Sequence, residues 1–248
     1  MKKLTLGLLF FNGLLMMAQT QIIAHRGFWK TKPETTENSL KALENAQKLR
    51  VYGSEFDVHM SKDGVPVINH DEHHGNMEIS ESNLKDLQLL KLSNGETIPT
   101  LEDYLKQGAK DKKTKLIVEI KPAKSKALED ELVAKTIKAI KDLHLEKQCE
   151  LISFSLNICK EIKKNAPQLP VQYLNGDLSP AELKKENIDG FDYHYKVLLN
   201  NPTWIEEAKK LGLITNSWTV NDEQTYLQLK NLGIDFITTN IPDVLMKK

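Results

Sequence analysis

The sequence predicts an α/β fold, a (β/α)8 barrel in one domain with a small hairpin insertion after its second strand. Strand-length apolar segments alternate with helical patterns, eight such segments can be counted, and about 230 residues hold them, near the short end of what this barrel uses. No glycine-rich nucleotide loop follows a strand, which weighs against a doubly wound open sheet, the competing layout.

The chain of 248 residues opens Met1-Lys2-Lys3 and continues through an apolar run over residues 4–17 to Ala18. A basic start, a short apolar stretch and a small residue form the pattern of a cleavable signal peptide over residues 1–18, leaving 19–248 as the domain. The run is too short and too interrupted for a membrane span, and no cysteine stands near residue 18 to carry a bacterial lipid anchor. A secreted or periplasmic protein without stable membrane insertion is therefore expected. Loss of Lys2 and Lys3 leaves 32 basic residues against 34 acidic ones, and with no basic stripe, nucleic acid is not an expected partner.

The first strand occupies residues 22–25 and ends in Arg26-Gly27. Leu40, Leu43, Ala46 and Leu49 recur at helical spacing, with Thr35 or Thr36 as the expected cap. Residues 54–60 form the second strand, Lys62-Asp63-Gly64 a turn, and residues 65–68 the return of a hairpin. With a turn centred on Lys62 and Asp63, facing residue numbers sum to about 125, which sets His70 opposite Glu55. Thr100 caps a helix from Leu101, residues 115–121 form the third strand, and an amphipathic helix follows over 129–143. Segments near 150, 171, 189, 213 and 235 supply the remaining strands. Cys149 starts one of them and Cys159 lies in the next helix, a separation expected to exceed the ~7 Å a disulfide tolerates.

Barrel chemistry gathers at the C-terminal ends of the strands. His25, Glu55, Asp57, Glu119, Lys121, Ser153, His194 and Trp218 all fall there. Residues two apart on a strand share a face, so Glu55 and Asp57 point the same way and repel each other unless a cation intervenes. With Glu119 they offer hard oxygen ligands suited to one divalent cation, Ca2+ or Mg2+; pairing with Lys121 and Arg26 is the competing reading. His25 and His70 can serve as general acid and base, and Arg26 and Lys121 beside a metal suit an anionic phosphoryl group. His194 is read either as a substrate contact or as a hydrogen-bonded barrel residue, His59 as structural, and His73 and His74 as exposed loop residues.

The ordered set His25-Arg26-Gly27, Glu37-Asn38-Ser39, Glu55-Phe56-Asp57-Val58, Lys62-Asp63-Gly64-Val65-Pro66-Val67, His70-Asp71, Val118-Glu119-Ile120-Lys121, Trp218-Thr219-Val220-Asn221 and Gly233-Ile234-Asp235-Phe236-Ile237-Thr238-Thr239-Asn240 resembles the glycerophosphodiester phosphodiesterases. The resemblance runs from Ile22 to about Val244. It implies a TIM barrel that hydrolyses glycerophosphodiesters to sn-glycerol 3-phosphate and an alcohol such as choline or ethanolamine. It further implies that His25 and His70 are the acid/base pair, that Glu55, Asp57 and Glu119 hold the divalent cation, that Arg26 and Lys121 hold the phosphate, and that Trp218 lines the alcohol side.

Two segments depart from the family pattern. Residues 28–36 replace a shorter Ala-Pro run, and Glu72-His73-His74-Gly75-Asn76-Met77 replaces an Arg-Thr-type element, which leaves the head group open. The sequence also leaves open a cyclic phosphate against direct water attack, and the oligomeric state. A lysophospholipid or phosphoinositide-type diester is the alternative substrate, expected to use an apolar groove near Phe28 and Trp29. A non-catalytic binding protein is a third reading, against which the complete set of histidines and carboxylates speaks.

Overall fold

The computed structural model describes residues 19–248, so the signal-peptide expectation for residues 1–18 lies outside the described residues. Eight parallel strands form its centre: β1 (Gln21–Ala24), β2 (Gly53–Met60), β3 (Lys115–Ile120), β4 (Cys149–Ser153), β5 (Val171–Tyr173), β6 (Gly190–His194), β7 (Ile214–Trp218) and β8 (Phe236–Thr239). Each pairs with its neighbour in chain order, and β1 pairs with both β8 and β2, so the sheet closes into a barrel. Closure removes the open-sheet alternative.

Strand alternation divides the side chains between two cores. Outward residues such as Ile22, Phe56, Val118, Leu151 and Phe191 pack beneath the surrounding helices in one continuous cluster. Inward residues Ile23, Ile117, Ile152 and Leu174 fill the barrel together with Tyr52, Phe154, Trp218 and Phe236. Burial on both faces is why these strands read as nearly unbroken apolar runs.

The first helix spans Leu40–Leu49 and is capped by Ser39, whose Oγ accepts from the Ala42 N–H at 3.0 Å. The expected caps, Thr35 and Thr36, lie too far upstream. Asn38 has a left-handed backbone (φ +56°), so helical geometry cannot begin before it. The Thr100 cap forms as expected, with Oγ1 accepting from the Asp103 N–H at 3.1 Å. The long helix begins earlier than its apolar stripe, spanning Lys126–Asp142 from a Ser125 cap.

The hairpin return, Pro66–Ile68, pairs antiparallel to β2 as Val58 with Ile68, His59 with Val67 and Met60 with Pro66. Facing numbers thus sum to one more than expected. Lys62-Asp63-Gly64 forms a three-residue loop with Gly64 at φ +75°, which consumes one residue more than a two-residue turn. The ladder ends where the Asn69 N–H donates to the Asp57 carbonyl at 3.1 Å, so no rung sets His70 opposite Glu55. Beyond the hairpin, the insertion adds a ribbon (His73–His74 with Met77–Glu78) and a helix, Leu84–Leu87, around a small core of Val67, Ile79, Leu87 and Ile98.

Cys149 and Cys159 are both free and buried, as expected. Among the described residues, no helix is long and apolar enough to cross a membrane.

Candidate active site

At the C-terminal mouth of the barrel, a cavity of about 90 Å3 is lined by His25, Arg26, Glu55, His70, Glu119 and Lys121 on one side. Ile152, Phe154, Leu174, Asp192, Trp218, Thr219 and Thr238 line it on the other. Seven side chains expected at a phosphodiester site therefore share one space: the two histidines, Arg26, Glu55, Glu119, Lys121 and Trp218.

The turn after β1 builds one corner of the cavity. Arg26 and Gly27 both have left-handed backbones, φ +56° and +78°. That turn aims the Arg26 N–H at Glu55 Oε2, 2.8 Å away. A Cβ on Gly27 would meet the Ala42 carbonyl carbon at 2.7 Å, so only glycine admits the first helix this close. The Arg26 guanidinium donates to Glu37 Oε1 at 2.7 Å, and its Nε stands 3.7 Å from Asp57 Oδ2.

Glu55, Asp57 and Glu119 are buried, and each presents an oxygen within 4.8 Å of the others. Oxygens that share a cation at 2.3–2.6 Å lie no more than about 5 Å apart, so the spacing suits one ion with oxygen ligands. Glu55 Oε1 has no hydrogen-bond partner, leaving a buried lone pair for such an ion. Burial, and then repulsion from Asp57, push both the Glu55 and the Glu119 carboxyls upward. Burial would raise Asp57 as well, but the Lys121 ammonium and the Asn38 amide prevail and hold it low. The donor set thus fits a divalent cation, which all three carboxylates would hold. Lys121 Nζ bridges Asp57 Oδ1 at 2.6 Å and Glu119 Oε1 at 2.7 Å, so the ion pairs considered as an alternative also form.

His25 is fixed by its Nδ1, 2.8 Å from Asn240 Oδ1. An amide oxygen only accepts, so Nδ1 carries the hydrogen and Nε2, 4.0 Å from Glu55 Oε2, keeps its lone pair. Burial, reinforced by Arg26, brings the imidazole down to about 4, so His25 is neutral near pH 7. His70 is half-exposed at the rim, with Nδ1 2.7 Å from Asp71 Oδ1.

The other expected residues are placed as follows. Trp218 donates from Nε1 to the Asp192 main-chain carbonyl at 2.9 Å and meets Phe154 edge-on at 5.5 Å. His194 stands at the rim beside Trp218, and its Nδ1 accepts the Lys196 N–H at 3.2 Å as the cap of the helix Tyr195–Asn200. Ser153 faces the helical layer, donating to the Ile120 carbonyl at 2.7 Å, and takes no part in the cavity. His59 braces the His70 carbonyl at 3.1 Å, as a structural residue would. His73 is exposed as expected, whereas His74 is buried against Leu90, a consequence of the ribbon pairing. Phe28, expected beside an apolar groove in the alternative reading, packs part-buried against Ala24, Ala46 and Val51.

Three residues that matter here were not singled out as site residues. Asn38 donates from Nδ2 to Asp57 Oδ2 at 2.8 Å and accepts the Asp57 N–H at 3.2 Å. Asn240 orients His25, and Asp192 lines the cavity. The signal for Asp192 was the alternation that marked Glu55 and Asp57, because it sits two residues before His194.

Residues 25–244 match the glycerophosphoryl diester phosphodiesterase family. The chain belongs to this family. A glycerophosphodiester phosphodiesterase of Caldanaerobacter subterraneus is 30% identical over 245 aligned residues, covering 92% of this chain and 97% of that protein. The crystal structure of a glycerophosphodiester phosphodiesterase from Parabacteroides distasonis superposes with a TM-score of 0.91 at 41% identity, covering 93% of this chain and 96% of that one. A phosphodiesterase of Oleispira antarctica, solved in complex with the product sn-glycerol-3-phosphate, gives 0.80 at 26% identity, covering 92% of this chain and 96% of that one. Family membership agrees with the closed barrel that the sequence predicts.

Proposed function

We propose that this member of the glycerophosphodiester phosphodiesterase family hydrolyses glycerophosphodiesters to sn-glycerol 3-phosphate and an alcohol, with His25 as general base and His70 as general acid. The observation that carries the reading is the single cavity shared by both histidines, Arg26, Lys121 and the buried carboxylates. Neutral His25, held by Asn240, presents the Nε2 lone pair to the proton of the attacking hydroxyl or water. The His70 ring, oriented by Asp71, gives a proton to the departing alcohol oxygen. Arg26 and Lys121 bind the phosphoryl oxygens.

Charge balance supports the metal requirement. Once all three are ionised, Glu55, Asp57 and Glu119 carry three negative charges against the two positive charges of Arg26 and Lys121, a balance that repels a phosphodiester anion. A bound divalent cation would reverse that sign and polarise the phosphoryl oxygens. The all-oxygen donor set favours Ca2+ or Mg2+ over metals that prefer nitrogen or sulfur. Trp218 and Phe154 form the apolar wall against the carbon skeleton, and His194 buttresses Trp218 from the rim. We further propose export to the periplasm or medium with cleavage after Ala18, which N-terminal sequencing of the mature protein would check.

The test is release of glycerol 3-phosphate from glycerophosphocholine and glycerophosphoethanolamine. Activity should vanish on chelation and return with Ca2+ or Mg2+, added separately to identify the preferred ion. Full turnover in excess EDTA would remove the metal from the mechanism.

A further inference from the structure

The two sides of the cavity differ in how their polar groups are satisfied. On the side of β1 to β3, Arg26, Asp57, Glu119 and Lys121 pair with one another, and the unpartnered Glu55 Oε1 belongs to the carboxylate trio that would hold a cation. The opposite wall is apolar, formed by Ile152, Phe154, Leu174 and Trp218, and a single carboxyl, that of Asp192, is set into it. Asp192 faces inward because its neighbours on β6, Phe191 and Tyr193, belong to the outer core. It is 1% exposed. Its Oδ1 has no hydrogen-bond partner, and among the described residues no Lys, Arg or His forms an ion pair with it. A buried, unpartnered carboxyl reduces the stability of the fold, and one that lines a reaction cavity is explained by a ligand that satisfies it.

We propose that Asp192 is a further substrate-binding residue, whose carboxyl hydrogen-bonds a free hydroxyl of the esterified glycerol and selects polyol phosphodiesters over those lacking that hydroxyl. The inference rests on the proposed phosphodiesterase activity. Glycerol is a small chain whose carbon face suits the Trp218 and Phe154 wall, a different placement from the alcohol side that the family resemblance implies for Trp218. Its hydroxyls need polar partners, and Asp192 is the one carboxyl on that wall. Burial, with Glu119 adding to it, pushes the Asp192 carboxyl upward, toward the protonated form in which a carboxyl both donates to and accepts from a hydroxyl. A fixed cation such as a choline or ethanolamine head group would gain little from it. Trp218 is anchored to the Asp192 main-chain carbonyl, so side-chain substitution leaves the aromatic wall in place.

The experiment compares Asp192→Leu and Asp192→Asn with wild type on glycerophosphocholine, glycerophosphoethanolamine and two deoxy analogues, the 2-hydroxypropyl and 3-hydroxypropyl esters of phosphoethanolamine. Asp192→Leu should lower kcat/KM about 10–100-fold on both glycerol esters and leave one deoxy analogue nearly unchanged, because that analogue already lacks the contacted hydroxyl. Asp192→Asn, which keeps a donor and an acceptor, should retain most of the activity. The melting temperature of Asp192→Leu should equal or exceed that of wild type, since an unpartnered buried group has been removed. Equal losses on all four esters, a loss that follows the head group, or a lowered melting temperature in both variants would overturn the proposal. Calorimetric binding separates this outcome from failure of the activity itself. Asp192→Leu should weaken glycerol 3-phosphate about 10-fold and leave inorganic phosphate unaffected, whether or not turnover is detected; equal affinities for both ligands across the variants would refute it.

Discussion

Cation binding should stabilise this protein far more at pH 8 than at pH 5. The carboxyls of Glu55 and Glu119 are pushed up in the folded chain, Glu119 to about 7, so between the unfolded value near 4.5 and that pH the folded state holds more protons than the unfolded one. Stability without cation therefore falls as pH rises through that window, by about 3 kcal/mol for a single carboxyl shifted this far. A cation held by Glu55, Asp57 and Glu119 removes the repulsion, but at pH 5 it must first displace protons. At a cation concentration about 100 times Kd the gain is about 2.7 kcal/mol, which for a domain of this size raises Tm by about 5–10 °C. Thermal unfolding with Ca2+ and with EDTA at the two pH values measures the difference. Glu119→Gln provides the control: it should be more stable than wild type in EDTA at pH 8 and should lose most of the cation response. A Tm shift of equal size at both pH values, or none at either, would show that these carboxylates do not hold the ion.

Other perturbations address single contacts. His25→Ala and His70→Ala should each lower turnover by about 100-fold or more on glycerophosphoethanolamine, and near wild-type rates would take that histidine out of the chemistry. Asn38→Ala removes both hydrogen bonds to Asp57 and should cost about 2–3 kcal/mol in urea denaturation, with a larger loss of cation affinity than of fold. Gly27→Ala sets a Cβ against Ala42 in a left-handed backbone and should destabilise by more than about 2 kcal/mol; an unchanged urea midpoint would contradict the close approach of the first helix.

How far the sequence could be read depended on whether a feature was local. Alternation within β2 put Glu55 and Asp57 on one face, and the strand count gave a closed barrel, because both follow from periodicities of two and of roughly thirty residues. The hairpin register failed by one residue because it depended on loop length, and a three-residue loop with a left-handed glycine reads much like a two-residue turn. The first helix cap failed for a similar reason: the left-handed Asn38 backbone, which no local pattern announces, moves the start to Ser39. His70 was placed in the right cavity by a wrong route, since the chain reaches the rim after leaving the ladder. Asp192 escaped notice because Phe191 and Tyr193 made β6 look like core, although the same alternation assigned its carboxyl to the barrel interior.

The layout of the barrel also explains why chemistry was easier to read than substrate. The first three strands carry the charged groups, and their sequence spacing is short enough for motifs to mark them: Glu55 and Asp57 are two residues apart, as are Glu119 and Lys121. The opposite wall is assembled one residue per strand, from Ile152, Leu174, Asp192 and Trp218, so no contiguous motif encodes it and any single position looks like ordinary barrel filling. A substitution on that wall can change which alcohol or polyol fits without disturbing a charged contact. Specificity in this fold is therefore expected to track the inward-facing positions of β4 to β7 that line the cavity, and among those residue 192 is the one that carries a buried carboxyl.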